Sequence, residues 1–195
     1  MAHDHSHGVR AVGNERRLML ALGLTALFMV VEVVGGIVTN SLALLSDAAH
    51  MFTDVTALAI ALAAVRVDRR PVDDRRSYGY QRFEILAAAF NALMLFGIAG
   101  YILYEAWQRF LEPAEIRSLP MLVVATGGLI VNLISAKLLH AGSGESLNVQ
   151  GAFLQVISDL LGSLGVIIAA VVIYFTGWWQ ADPIVSVVIG LFILP

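Results

Sequence analysis

Six apolar segments follow one another along the chain, separated by short polar connections. They run approximately Leu18 to Val38, Leu42 to Val65, Ile85 to Phe110, Leu119 to Leu139, Val149 to Phe175 and Ile184 to Leu194. A helix of about 20 apolar residues crosses a hydrocarbon core of about 30 Å. A crossing segment must satisfy its own backbone hydrogen bonds, and these stretches are too long for barrel strands. The pattern therefore predicts an all-α membrane protein, a bundle of six transmembrane helices. Asp182 followed by Pro183 predicts an N-cap and first residue for the sixth helix. From Pro183 to residue 195 there is only about 20 Å of helix, so the sixth helix is expected to be truncated.

Composition agrees with that reading. Hydrophobic residues make up 58% of the 195 and charged residues 14%, against about 45–50% and about 25% in soluble domains. The surplus of apolar residues calls for a lipid bilayer as solvent. The net charge of −3, with basic residues confined to short connections, argues against nucleic acid as a partner. There is no cysteine, which excludes a disulfide framework and a thiolate metal site and leaves imidazole, carboxylate and amide oxygen as ligands.

The first segment follows a polar, His-rich stretch and Arg10, Arg16 and Arg17, a layout unlike that of a cleavable signal peptide. With six spans, the N-terminus shares one side of the membrane with the second-to-third and fourth-to-fifth connections. That side holds Arg10, Arg16, Arg17, Arg66, Arg69, Arg70, Arg75, Arg76, Arg82 and Lys137, and the other only Arg109 and Arg117. The bias predicts a cytoplasmic N-terminus.

A charged side chain at the bilayer centre costs at least about 2.5–3.5 kcal/mol, which makes each one a functional candidate. Asp47, His50 and Asp54 on the second helix lie at i, i+3 and i+7, where the first and last differ by only about 20° in direction. Gln155 and Asp159 on the fifth helix lie at i and i+4, again one face. If the two faces meet, His50, Asp54, Gln155 and Asp159 bring four donors to one point, the number tetrahedral zinc takes. A neutral His and two carboxylates give the site a charge of about −2, which balances a dication. The competing reading, hydrogen bonds that merely join helices, fits a lone Asp or Gln better than it fits a His and two Asp at helical spacing.

Asp47 reads as a partner that orients His50 from the neighbouring turn. Glu32 in the first helix, Asn91 in the third and Asn132 in the fourth either support the ligands in the same way or line a pathway. His3, His5 and His7 form a tail that either collects metal or is simply polar. The division expected is a tail over 1–13 and a transport domain over 14–195.

Three stretches carry a family likeness: Ser41 to Asp54 (SLALLSDAAHMFTD), Ser77 to Glu84 (SYGYQRFE) and Ser146 to Ala152 (SLNVQGA). From about residue 14 onward the chain resembles the cation diffusion facilitators, and most of all their bacterial cobalt–zinc–cadmium resistance branch. The resemblance implies a six-helix domain in the inner (plasma) membrane that works as a homodimer. It implies export of divalent metal, zinc with cobalt and cadmium, from the cytoplasm in exchange for protons, with no cofactor beyond the transported ion. It also implies that His50 and Asp54 form the family's His-x-x-x-Asp pair, facing a similar pair on the fifth helix. Zinc-selective members commonly have His where this chain has Gln155. The family usually continues into a cytosolic metal-binding domain, which is expected to be absent from this chain.

Imidazole and carboxylate bind protons and metal competitively, so a site facing each side in turn can take up metal when deprotonated and release it when protonated. An intramembrane metalloenzyme would need an activated water and a general base, as in His-Glu-x-x-His, and the chain lacks that motif. No enzyme activity is expected. A membrane metal sensor or scaffold that does not transport is the alternative.

Overall fold

The computed structural model describes residues 6–68, 79–140 and 147–193, and its elements are six helices. They are α1 (Ser6–Thr39), α2 (Leu42–Asp68), α3 (Gly79–Leu111), α4 (Ser118–His140), α5 (Leu147–Thr176) and α6 (Ala181–Ile193). Each coincides with one of the six apolar segments, the last as far as Ile193, and no strand occurs among the described residues. α1 begins at Ser6, well ahead of Leu18 and inside the stretch expected as a tail. His3 and His5 lie outside the described residues, as do the side chains of His7 and Asn91 and the connection with Arg69, Arg70, Arg75 and Arg76.

Among the described residues three helices are long and apolar enough to cross a membrane, over Arg16–Thr39, Ser118–His140 and Val149–Thr176. Ala181–Leu191 is apolar but shorter. Burial is arranged the opposite way to a water-soluble domain. Phe175, Leu93, Val123 and Ile37 are 68–78% exposed, whereas Glu32, Asp47, Asp54, Asn132, Asp159 and Ser163 are at most 2% exposed. An outer coat of large apolar side chains over a polar interior is stable where the surrounding solvent is lipid.

The turn from α1 to α2 is built on Asn40, which adopts a φ of 59°. Asn is one of the few residues to take the left-handed conformation readily, and here it ends the helix. Ser41 N donates to Gly36 O at 3.0 Å and Asn40 N to Ile37 O at 3.4 Å, which satisfies carbonyls of the last turn of α1. Arg109 of α3 locks the turn from outside, donating to Asn40 O at 2.6 Å and Asn40 Oδ1 at 3.1 Å. Glu105 holds the same guanidinium at 2.9 Å.

α4 packs along α5 and α1, α1 along α2, and α6 against α2 and α3. A Cβ on Gly36 would sit 2.8 Å from the Leu45 side chain, so the lack of a side chain there lets α1 approach α2. Two apolar clusters fill the bundle. One contains Met121, Ala125, Val166, Ala170 and Ile189, and the other Leu18, Ala21, Leu139, Val149 and Val156. On α4 the buried Asn132, and on α5 Asp159 and Ser163, fall in sequence between these clusters. The polar layer therefore has apolar packing on either side along both helices.

Candidate metal centre

α2 and α5 turn their polar faces toward each other. His50 Nε2 lies 3.7 Å from Asp54 Oδ2 on its own helix and 3.5 Å from Asp159 Oδ1 on α5. One donor atom from each of the three residues lies within 4.8 Å of the others. Both carboxylates are 1% exposed, and the His50 side chain is 18% exposed.

The hydrogen-bonding pattern points the same way. Asp54 Oδ2 and Asp159 Oδ1, the two oxygens that face His50 Nε2, are buried without a hydrogen-bond partner. Leaving such acceptors unpaired in a low-dielectric interior is unfavourable by about 1–3 kcal/mol each, more for charged groups. A cation between them would satisfy both. With neutral imidazole the three side chains carry about −2 in total, the charge a dication neutralises.

Gln155 also reaches this centre, where its Nε2 donates to Asp54 Oδ1. To act as a metal ligand it would present Oε1 instead, which takes a half-turn of the amide. The structure thus brings together all four residues singled out from helical spacing. Beside them a cavity of about 230 Å³ is lined from α2, α5 and α6 by Asp47, His50, Ser158, Gly162, Gly165 and Val188, among others.

Two expectations are corrected. Asp47 does not hydrogen-bond to His50: His50 Nδ1 is buried with no partner, and the Asp47 carboxyl rests instead against Gly162 of α5 with Glu32 as its neighbour. The surroundings of Asp47 are set by the helices that pass beside it, α5 through Gly162 and α1 through Glu32. Asp182 does not cap its own helix. α6 begins at Ala181, and the Asp182 carboxylate accepts from Leu42 N at 2.7 Å and Ala43 N at 3.2 Å, at the start of α2.

Glu32 and Asn132 both face the interior. Asn132 Nδ2 donates to Ser163 Oγ at 3.3 Å. Sequence reasoning missed Ser163, and also the contact between Ser46 and Ser186 that joins α2 to α6. A lone Ser in an apolar helix gives no signal of its own, although Ser163 does follow Asp159 by one turn.

An apolar-coated helical bundle marks a multi-pass membrane protein, and its buried imidazole–dicarboxylate cluster is the candidate cation centre. The family model of the cation efflux transmembrane domain matches residues 18–194, and the chain belongs to that family. It is 59% identical to the metal cation efflux system protein CzcD of Cupriavidus metallidurans over 193 residues, which cover 99% of this chain and 60% of that protein. It is 49% identical over 198 residues to the zinc transporter ZitB of Escherichia coli, covering 100% of this chain and 63% of the relative. To the cadmium, cobalt and zinc/H(+)-K(+) antiporter of Bacillus subtilis it is 41% identical over 196 residues, covering 100% of this chain and 62% of the relative. The chain spans about 60% of the length of these relatives. All three carry the names of metal-ion transporters or efflux systems, and no catalytic family is indicated.

Proposed function

We infer that the chain is the membrane-embedded transport domain of a divalent transition-metal exporter, with zinc the first substrate and cobalt and cadmium further ones. The observation that carries this reading is the pair of unpartnered carboxylate oxygens, Asp54 Oδ2 and Asp159 Oδ1, facing His50 Nε2 between α2 and α5. His50, Asp54 and Asp159 bind the metal, and Gln155 completes a tetrahedral set through Oε1. The six helices form six membrane crossings, with the N-terminus on the cytoplasmic side of the inner membrane, and two copies pair as a homodimer.

Transport runs as metal/proton antiport. Metal displaces protons from imidazole and carboxylate when the centre faces the cytoplasm, and protons displace metal when it faces the other side. The bundle rocks about a centre near its middle to change that exposure. The cavity lined by His50 and Asp47 supplies an approach to the centre. The names of the relatives support zinc, cobalt and cadmium as cargo, and the carboxylates with one imidazole suit such borderline dications.

Zinc flux into reconstituted vesicles, measured beside zinc binding in detergent, tests the reading. Binding together with flux is expected. Binding without flux in every gradient would identify a metal sensor or scaffold instead, and absence of binding would remove the metal centre altogether.

A further inference from the structure

Four helices bring polar side chains together beside the metal centre without joining it. Glu32 of α1, Asp47 of α2, Asn132 of α4 and Ser163 of α5 are between 0% and 2% exposed. They are linked in sequence of contact. Glu32 and Asp47 act on each other as neighbouring carboxyls, Asp47 rests against Gly162 beside Ser163, and Asn132 Nδ2 donates to Ser163 Oγ at 3.3 Å.

This chain of contacts leaves acceptors over. Glu32 Oε2, Asp47 Oδ1 and Asn132 Oδ1 are buried with no hydrogen-bond partner. Two glycines admit the carboxyls: a Cβ on Gly162 would lie 2.6 Å from Asp47 Oδ1, and one on Gly128 would lie 3.1 Å from Glu32 Oε1. Two neighbouring buried carboxylates repel each other strongly where water is excluded. Asp54 and Asp159 add further negative charge from α2 and α5. One positive charge on this group relieves the repulsion and occupies the orphaned oxygens.

The donors are oxygen throughout, with no imidazole, a set that suits a proton or a hard alkali cation and not a borderline transition metal. We propose that Glu32, Asp47, Asn132 and Ser163 form a second cation site, separate from His50, Asp54 and Asp159, that holds one monovalent cation, a proton or an alkali ion, as the counter-ion of metal export. The inference rests on the antiport reading and locates the exchanged charge within it. Asp47 lines the same cavity as His50, so the counter-ion and the metal have a common approach. Asp47 stands three residues from His50 and Ser163 four from Asp159, so the two charges act on each other across about one turn of helix, in addition to the proton–metal competition at the centre itself.

Zinc flux into vesicles containing the full chain is compared with and without a gradient, in one arm of protons and in another of potassium at symmetric pH. The wild-type protein should be stimulated roughly fivefold or more in one arm, which identifies the cation, and Glu32→Gln and Asp47→Asn should lower that ratio at least about twofold, leaving only the part due to competition at the metal centre. A Glu32→Gln protein whose ratio matches wild type overturns the site. Infrared difference spectra of zinc-free protein on a pH step and on a potassium step decide the matter independently of flux. A carboxyl band that responds in wild type and disappears in Glu32→Gln is expected, and identical spectra from both proteins would overturn the proposal. If no gradient stimulates wild-type flux, it is the antiport reading that fails, and the infrared steps alone then judge whether the site binds a cation.

Discussion

The carboxylate of Asp182 on α6 holds the backbone of Leu42 at the first residue of α2, with Leu42 N donating to Asp182 Oδ2 at 2.7 Å. Its other oxygen accepts from Ala43 N at 3.2 Å and from the Ser41 hydroxyl at 2.6 Å, while Leu44 N donates to Ser41 Oγ at 3.2 Å. The backbone donors at the start of a helix have no partners within it. Here the first three are satisfied by two side chains, one of them from a helix about 140 residues away in sequence. The carboxylate also meets the positive end of the helix dipole. α2 carries His50 and Asp54, so α6 fixes the height and direction of two of the candidate ligands.

Asp182→Ala should therefore act on both stability and binding. It removes a buried cap and leaves two N–H groups and a hydroxyl unpaired, a loss of about 2–5 kcal/mol. Asp182→Asn keeps one acceptor oxygen and should lose roughly half as much. Thermal unfolding in detergent should give the order wild type, Asp182→Asn, Asp182→Ala, with zinc affinity falling in the same order. Equal melting temperatures for all three would show that α6 does not anchor α2.

Asp54→Ala takes away one of two charges at the metal centre. The dication is then left about one charge short of neutrality in a site that excludes water, and the remaining carboxylate keeps its own unpaired oxygen. Zinc affinity should drop by about 3–5 kcal/mol, roughly 10²- to 10⁴-fold, and flux should fall with it. Because the wild-type carboxylates repel each other, the melting temperature of the zinc-free protein should change little or rise. Calorimetry and a melting curve on one preparation test both statements, and near wild-type zinc affinity would remove Asp54 from the centre.

The helices and the cluster of His50, Asp54, Gln155 and Asp159 were legible in the sequence because both depend on periodicity. Six apolar stretches predict six helices, and His50 with Asp54, or Gln155 with Asp159, share a face by spacing alone. Partners across helices were less legible. Asp182 beside Pro183 reads as a local cap, since nothing in the chain says that the start of α2 lies within reach of α6. Asp47 reads as a support for His50 because spacing places it one turn away, whereas its contacts are decided by where α1 and α5 happen to pass. The Asp47 carboxyl also rests against Gly162, a contact that no spacing in the sequence announces.

That contact carries its own prediction. A Cβ on Gly162 would meet Asp47 Oδ1 at 2.6 Å, closer than real Cβ contacts come. Gly162→Ala must push the carboxyl off the group formed with Glu32 and Ser163, at a cost of about 1–3 kcal/mol. The variant should melt lower than wild type. Gly151→Ala is the control, because no atom lies within 4 Å of its added Cβ, and a helical Gly-to-Ala change there should be neutral or stabilising. If the two variants melt together, Asp47 has room to move and is not held against α5.

Gln155 is where this chain departs from what zinc-selective relatives of its kind commonly carry. Its amide now donates to Asp54, and as a ligand it would have to turn and offer a neutral oxygen that binds zinc less strongly than imidazole nitrogen does. Gln155→His should tighten zinc by about tenfold, or about 1.4 kcal/mol. The formal charge of the site stays at about −2 when the new ring is neutral, so the gain comes from donor type and not from charge. A second imidazole also adds a second proton that must leave before metal binds. Zinc affinity in the variant should therefore fall more steeply than in wild type as pH drops through the imidazole range, and the advantage of Gln155→His should shrink toward acid pH. Cadmium should gain less than zinc, which would sharpen discrimination between the two. Competition calorimetry with zinc and cadmium at two pH values reads all of these effects. If the variant bound zinc no better and with the wild-type pH dependence, Gln155 would be a packing residue, and the centre would consist of His50, Asp54 and Asp159 with water as the fourth donor.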